Sequence, residues 1–110
     1  MIDEKSIEKI ISLLNDESAM KRRKGVKLAC ANINEELLEK LILILQIDEK
    51  ESVRKITLMN LISLKIQNKN IEQEILNILS NSSINEPNPL LRKIAKKGIE
   101  KRKNKTENPT

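Results

Sequence analysis

An acidic residue six positions before an arginine occurs three times in this chain, each time between two segments with helical apolar spacing. Successive pairs are separated by 32 and 38 residues, a period typical of one helical hairpin. The pattern predicts three hairpins, each with an A helix before the acid and a B helix that contains the arginine. The pairs are Asp16 with Arg22, Asp48 with Arg54, and Glu86 with Arg92.

Apolar residues at positions i, i+3, i+4 and i+7 predict six helices, the first over residues 4–14 after an N-cap at Asp3. Ser80 to Pro89 has turn composition, and proline favours a helix start. The second helix is predicted to run from about Glu17 or Ala19 to Ala31. The other four are predicted to begin at caps Asn34, Ser52 and Asn70, and at Pro89. The single domain then spans 1–103, with repeats at about 3–33, 34–66 and 70–103, followed by a disordered tail at 104–110.

The chain has 110 residues and contains no Phe, Tyr or Trp, so Ile, Leu, Val, Met and Ala must fill its one core. These residues pack well between helices, which favours an all-α fold. Core packing is also the expected role of Met20 and Met59, and Cys30 is expected to be a small buried residue.

The segments SVRKITLMNL and LLRKIAKKGI around the second and third arginines share an apolar residue, Arg-Lys-Ile, a small residue and a further apolar residue. The first repeat reads MKRRKGVKLA, with Lys21 at the apolar position. Over about residues 4–103 the chain resembles the HEAT-repeat family. The resemblance implies an α-α superhelix in which the acids and arginines form a structural ladder between repeats. An acid before the B helix would also accept that helix's first N–H groups.

The residue types needed for most catalytic and metal chemistry are missing. The chain has no His and one cysteine, which excludes internal disulfides and the common zinc sites. Its two glycines, Gly25 and Gly98, lie within predicted B helices and form no phosphate loop. We therefore expect no enzyme, no cofactor and no metal. The lack of a long apolar segment or a signal pattern indicates no membrane span and a cytoplasmic location.

Charge is distributed unevenly between the two kinds of helix. The net charge is +5, but the A-helix segments 1–14, 34–47 and 70–81 carry −5 and the B-helix segments 16–32, 48–69 and 82–103 carry +10. The resemblance implies that B helices line the concave side, so this side is expected to be a basic groove. Lys101, Arg102 and Lys103 extend this positive charge at the end of the last B helix. The candidate partner-binding residues are Arg23, Lys24, Lys27, Lys55, Lys93, Lys96 and Lys97.

Three functions are compatible with this pattern. The first is a small adaptor that holds a protein partner, or an acidic segment of one, on the groove. The second is binding of duplex DNA or structured RNA, such as ribosomal RNA; the lack of aromatic residues disfavours base stacking and a DNA-glycosylase activity. The third is weak end-to-end association of an otherwise monomeric chain through apolar residues left open on the last helix. Those residues are Leu90, Leu91, Ile94 and Ile99.

Overall fold

The fold is all-α, as predicted, in a computed structural model that describes residues 3–107 and their side chains as far as Asn104. The described part contains six helices that form three successive hairpins, a short α-α superhelix. The helices are α1 (Glu4–Leu14), α2 (Ala19–Ala31), α3 (Glu35–Ile47), α4 (Glu51–Ser63), α5 (Lys69–Asn85) and α6 (Pro89–Glu107).

Side-chain caps explain most of the helix starts. The carboxylate of Asp3 accepts from the Ser6 N–H, and the side chain of Asn34 accepts from the Leu37 N–H, as the sequence predicts. The predicted caps of α4 and α5 are wrong. The residue before α4 is Lys50, which makes no side-chain cap, and α5 is capped by Asn68 rather than Asn70.

The fifth and sixth helices extend beyond their predicted ends. Most of the predicted turn from Ser80 is helical, since α5 continues to Asn85. Two features allow this continuation: Ser82 is buried one turn after Ile78, and the Asn85 side chain donates to that of Asn81. The last helix continues to Glu107, and residues 108–110 of the predicted disordered tail lie outside the described residues.

The hairpins stack so that like helices are neighbours. The B helices α2, α4 and α6 pack more closely against one another than the A helices α1, α3 and α5 do. Crevices remain between successive A helices. The core consists of aliphatic side chains from all three hairpins, and its fully buried members include Val26, Leu37, Leu38, Leu41, Val53, Leu58, Leu61, Ile75 and Leu79.

The two glycines allow close helix contacts. A Cβ at Gly25 would lie 3.0 Å from the Leu13 Cβ and from the Leu14 backbone nitrogen, so α2 packs directly against α1. A Cβ at Gly98 would overlap the side chain of Ile62, so α6 packs directly against α4. Neither glycine has positive φ, and both are needed for space rather than for backbone conformation.

The methionine predictions are wrong, and the cysteine is buried as expected. Met20 is 68% exposed and Met59 is 50% exposed, so neither fills the core. Cys30 is 5% exposed, and burial raises the pKa of its thiol to about 12. Of the apolar residues on the last helix that were expected to be open, Leu91 is buried and Leu90 is 70% exposed.

Candidate docking surface on the B helices

Each repeat uses its arginine first to fix its own turn. The Nη1 of Arg22 donates to the main-chain carbonyl of Asp16 at 3.0 Å, the acid six residues before it. Arg54 makes the same bond to the Asp48 carbonyl at 2.6 Å. In the third repeat Arg92 donates to the corresponding carbonyl at 2.6 Å. The six-residue spacing thus places each guanidinium under the turn that leads into its own B helix.

The acidic side chains fix the same turn from the other direction. The Asp16 carboxylate accepts from the Ser18 N–H at 2.8 Å, and the Asp48 carboxylate accepts from the Lys50 N–H at 2.9 Å. The Glu86 carboxylate does the same for the residue two positions later, at 3.2 Å. The expected bonds to the first N–H groups of the B helices are not those observed. The acid stabilises the turn before the helix, and residues such as Ser18 cap the helix itself.

The other edge of the guanidinium joins neighbouring repeats. Arg22 donates from Nε to Asp48 Oδ2 at 2.7 Å and from Nη2 to Oδ1 at 3.1 Å. This hydrogen-bonded pair raises the pKa of Arg22. Arg54 donates from Nε to both carboxylate oxygens of Glu86 at 3.1 Å, and the two side chains are 9% and 1% exposed. Four of the six predicted ladder residues therefore form two rungs.

The remaining two ladder residues lie at opposite ends of the stack. Arg92 belongs to the last repeat, and its Nη1 donates to the main-chain carbonyls of Glu86 and Pro87. Within the described side chains no carboxylate pairs with its Nε and Nη2. Asp16 belongs to the first repeat, where its nearest cation is Lys21 at 3.9 Å rather than an arginine.

A third buried ion pair was missed from the sequence. Arg102 is 5% exposed, pairs with Glu72 on α5, and donates from Nη1 to carbonyls at the end of α4, including those of Leu61 and Leu64. It is therefore not part of the basic surface on which the charge pattern placed it. The one available signal was an arginine within a run of lysines, because arginine suits planar, multidentate contacts.

On the B-helix side a groove lies between the start of α4 and the start of α6, called here the α4–α6 groove. It has a volume of about 530 Å³. Lysine side chains and aliphatic side chains line it together, with one carboxylate at its edge. The lining residues are Glu51, Ser52, Lys55, Asn88, Leu90, Leu91, Lys93, Ile94 and Lys97.

The structure separates the predicted groove residues into groups. Lys55, Lys93 and Lys97 line the α4–α6 groove. Arg23 is half-buried and donates to the Ser52 hydroxyl at 3.1 Å, so it links α2 to the edge of the same groove. Lys96 is exposed but does not line the groove.

The two remaining predicted residues, Lys24 and Lys27, are exposed on α2, one hairpin away from the groove. They lie in the first repeat, whereas the groove is formed by the second and third.

Exposed apolar side chains accompany these cations. Leu90, which lines the groove, is 70% exposed, and Met59 lies one helical turn after Lys55 and is 50% exposed. Flexible methionine side chains adapt to different partner surfaces. The B-helix side therefore offers apolar contact area flanked by positive charge.

The described side chains include no group of three or more Cys, Asp or Glu residues placed to hold a metal ion. Among the described residues no helix is long and apolar enough to cross a membrane. Comparison with protein-family models, with curated proteins and with solved structures finds no match.

Proposed function

We propose that this protein is a non-catalytic binding module that holds an acidic, amphipathic segment of a partner protein in the α4–α6 groove. The observation that carries the proposal is the combination of Lys55, Lys93 and Lys97 with the aliphatic side chains of Leu90 and Ile94 in one concavity. Stacked helical repeats typically present an extended surface to a macromolecule. The groove supplies both apolar area and charge on that surface.

The positions of the lysines define the kind of segment that fits. Lys93 and Lys97 lie four residues apart on α6, hence on one helix face, and Lys55 lies across the groove on α4. A segment with acidic side chains on both sides of an aliphatic residue would place that residue against Leu90 and Ile94. Its carboxylates would then meet the lysines on either wall.

The apolar lining favours a protein partner over nucleic acid, the second candidate. A phosphate backbone gains from every cation it meets but gains nothing from an aliphatic floor. Glu51 at the edge of the groove would also repel phosphates. A peptide can avoid Glu51 through its own sequence, whereas a phosphate backbone carries the same charge at every nucleotide.

Two further features belong to the same proposal. The same turn occurs three times: an acid accepts a hydrogen bond from the N–H two residues later, and the arginine six residues later donates to the acid's main-chain carbonyl. This recurrence supports the assignment of the repeats as HEAT-like. A cytoplasmic location suits a chain whose single cysteine, Cys30, is a buried free thiol.

Fluorescence anisotropy with a labelled peptide of alternating Glu and Leu blocks tests the proposal, with labelled duplex DNA and structured RNA as competing probes. The double variant Lys93→Glu with Lys97→Glu should abolish peptide binding. Lys96→Glu is the matched control because Lys96 is exposed on the same helix but outside the groove. It should retain most of the affinity.

Salt separates the two candidate partners. Peptide binding should weaken only moderately between low and physiological salt, because the apolar contact is not screened. Tight binding of either nucleic acid with a steep salt dependence would favour the nucleic-acid function instead. Equal peptide affinity for the double variant and the Lys96→Glu control would remove the groove from consideration.

A further inference from the structure

The ladder of arginines and acids stops at both ends with complementary charges. Arg92 at the last repeat has an Nε and Nη2 edge that no carboxylate occupies among the described side chains. Asp16 at the first repeat has a carboxylate that no arginine reaches among the same residues. Each end therefore displays the half of a rung that the other end lacks.

Both half-rungs are held in the geometry of the complete ones. The Nη1 of Arg92 is bonded to two turn carbonyls, as is the Nη1 of Arg22, whose other edge binds Asp48. Asp16 accepts from the N–H two residues later, as Asp48 does while it binds Arg22. These turn bonds already hold both groups, so little side-chain entropy would be lost on pairing, and the incoming arginine has to displace only the exposed Lys21, which lies 3.9 Å from Asp16 Oδ2.

We propose that two copies of this chain associate head to tail, with Arg92 of one copy paired to Asp16 of the next. The contact is heterologous, so each added copy presents the same open ends and association continues beyond a dimer. It continues the internal stacking of the repeats. This proposal concerns the ends of the stack and does not depend on what the α4–α6 groove binds.

Each end of the stack also exposes an apolar side chain at a position that faces the neighbouring repeat elsewhere in the chain. In the second repeat, Gln46 on α3 lines the crevice that faces α5. The equivalent position in the third repeat, 38 residues later, is Ile84, which is 74% exposed because no further repeat follows among the described residues. In the third repeat, Gly98 faces α4 of the preceding repeat. The equivalent residue in the first repeat is Leu28, which has no preceding repeat in the described part of the chain and is 38% exposed. Head-to-tail stacking would cover both of these side chains.

Lysines near the junction oppose the contact. Lys96 lies one turn after Arg92, at the position where Val26 and Leu58 are fully buried in the other repeats. Lys24 is exposed on the first B helix. Because these like charges would approach one another, we expect association only at high protein concentration.

Sedimentation equilibrium of two charge-reversal variants, Arg92→Asp and Asp16→Arg, tests the proposal by the average mass in solution. For the 12.6 kDa wild-type chain the weight-average mass should rise above the monomer value as concentration increases. Arg92→Asp alone and Asp16→Arg alone should each remain at the monomer mass, because each variant brings like charges together. An equimolar mixture of the two should recover association, since each junction between one variant and the other again joins an Asp to an Arg.

Circular dichroism of each variant confirms that it is folded before the masses are compared. If Asp16→Arg does not fold, Asp16→Asn replaces it, because the amide oxygen still accepts from the Ser18 N–H while the charge is lost. Asp16→Asn should then associate more weakly than wild type. A wild-type chain that stays monomeric at every concentration, or a mixture that stays as monomeric as its components, would overturn the proposal.

Discussion

Replacing Arg54 with methionine should destabilise the protein more than the same change at any other ladder arginine. Arg54 and Glu86 are almost completely buried, with side chains 9% and 1% exposed. Methionine fills much of the same space but leaves the Glu86 carboxylate buried without its cation. Breaking a buried pair in this way costs about 3–5 kcal/mol, because the remaining charge is not solvated.

The other two arginines supply graded controls. Arg22 and Asp48 are 14% and 5% exposed, so water reaches the orphaned Asp48 more easily and Arg22→Met should cost less. Arg92 makes no rung within the described residues. Arg92→Met loses only its bonds to two turn carbonyls, at about 1 kcal/mol each.

Urea unfolding followed by far-UV circular dichroism measures these differences, since the chain has no aromatic residue for intrinsic fluorescence. With a denaturant slope of about 1.5 kcal/mol per molar urea, a loss of 3–5 kcal/mol lowers the midpoint by about 2–3 M. Natural domains are stable by about 5–15 kcal/mol, so the variant retains only part of its stability.

A double variant separates the orphaned charge from lost packing. Arg54→Met combined with Glu86→Gln removes both charges, and it should be more stable than Arg54→Met alone because no carboxylate remains buried. If Arg54→Met cost no more than Arg92→Met, the assignment of the Arg54–Glu86 rung as a buried structural pair would be wrong.

Three further results are expected. Arg102→Met should lower the free energy of unfolding by about 3 kcal/mol, since it orphans the largely buried Glu72; a change below about 1 kcal/mol in urea unfolding would contradict this. Gly98→Ala should destabilise by about 1–3 kcal/mol through overlap with Ile62, and Ile62→Ala in that background should cost less than it does in the wild type. Cys30 should react with a maleimide far more slowly in the folded than in the urea-unfolded chain. Because burial raises its pKa from 9.0 to about 12, the associated stability is present below pH 9.0 and is lost as the pH rises towards 12.

The periodic features of the fold could be predicted from the sequence. The apolar spacing around Ile7 and Leu14, the cap residues Asp3 and Asn34, and the recurrence of an acid six residues before an arginine are local signals, and each leads directly to a helix, a boundary or a repeat. Helix geometry determines such features within one or two turns of the chain.

Exposure was less predictable because it depends on where neighbouring helices lie. Met20 and Met59 are apolar and stand on helices, yet both face solvent. Arg102 is one of several cations in its segment, yet its side chain is buried and reaches the carbonyls at the end of α4 and Glu72 on α5. Apart from its being an arginine among lysines, nothing local distinguishes it from Lys101, because its partners lie 30 or more residues away in the chain.

The sequence by itself determined that this chain forms three helical hairpins with acids and arginines at matching positions. Only the tertiary structure decided which of these groups meet. The stacking of hairpins joins Arg22 to Asp48 and Arg54 to Glu86, and it leaves Arg92 and Asp16 at opposite ends. Hydrogen bonds along a helix depend on neighbours in sequence, whereas these contacts depend on how the apolar faces of separate hairpins are buried against one another.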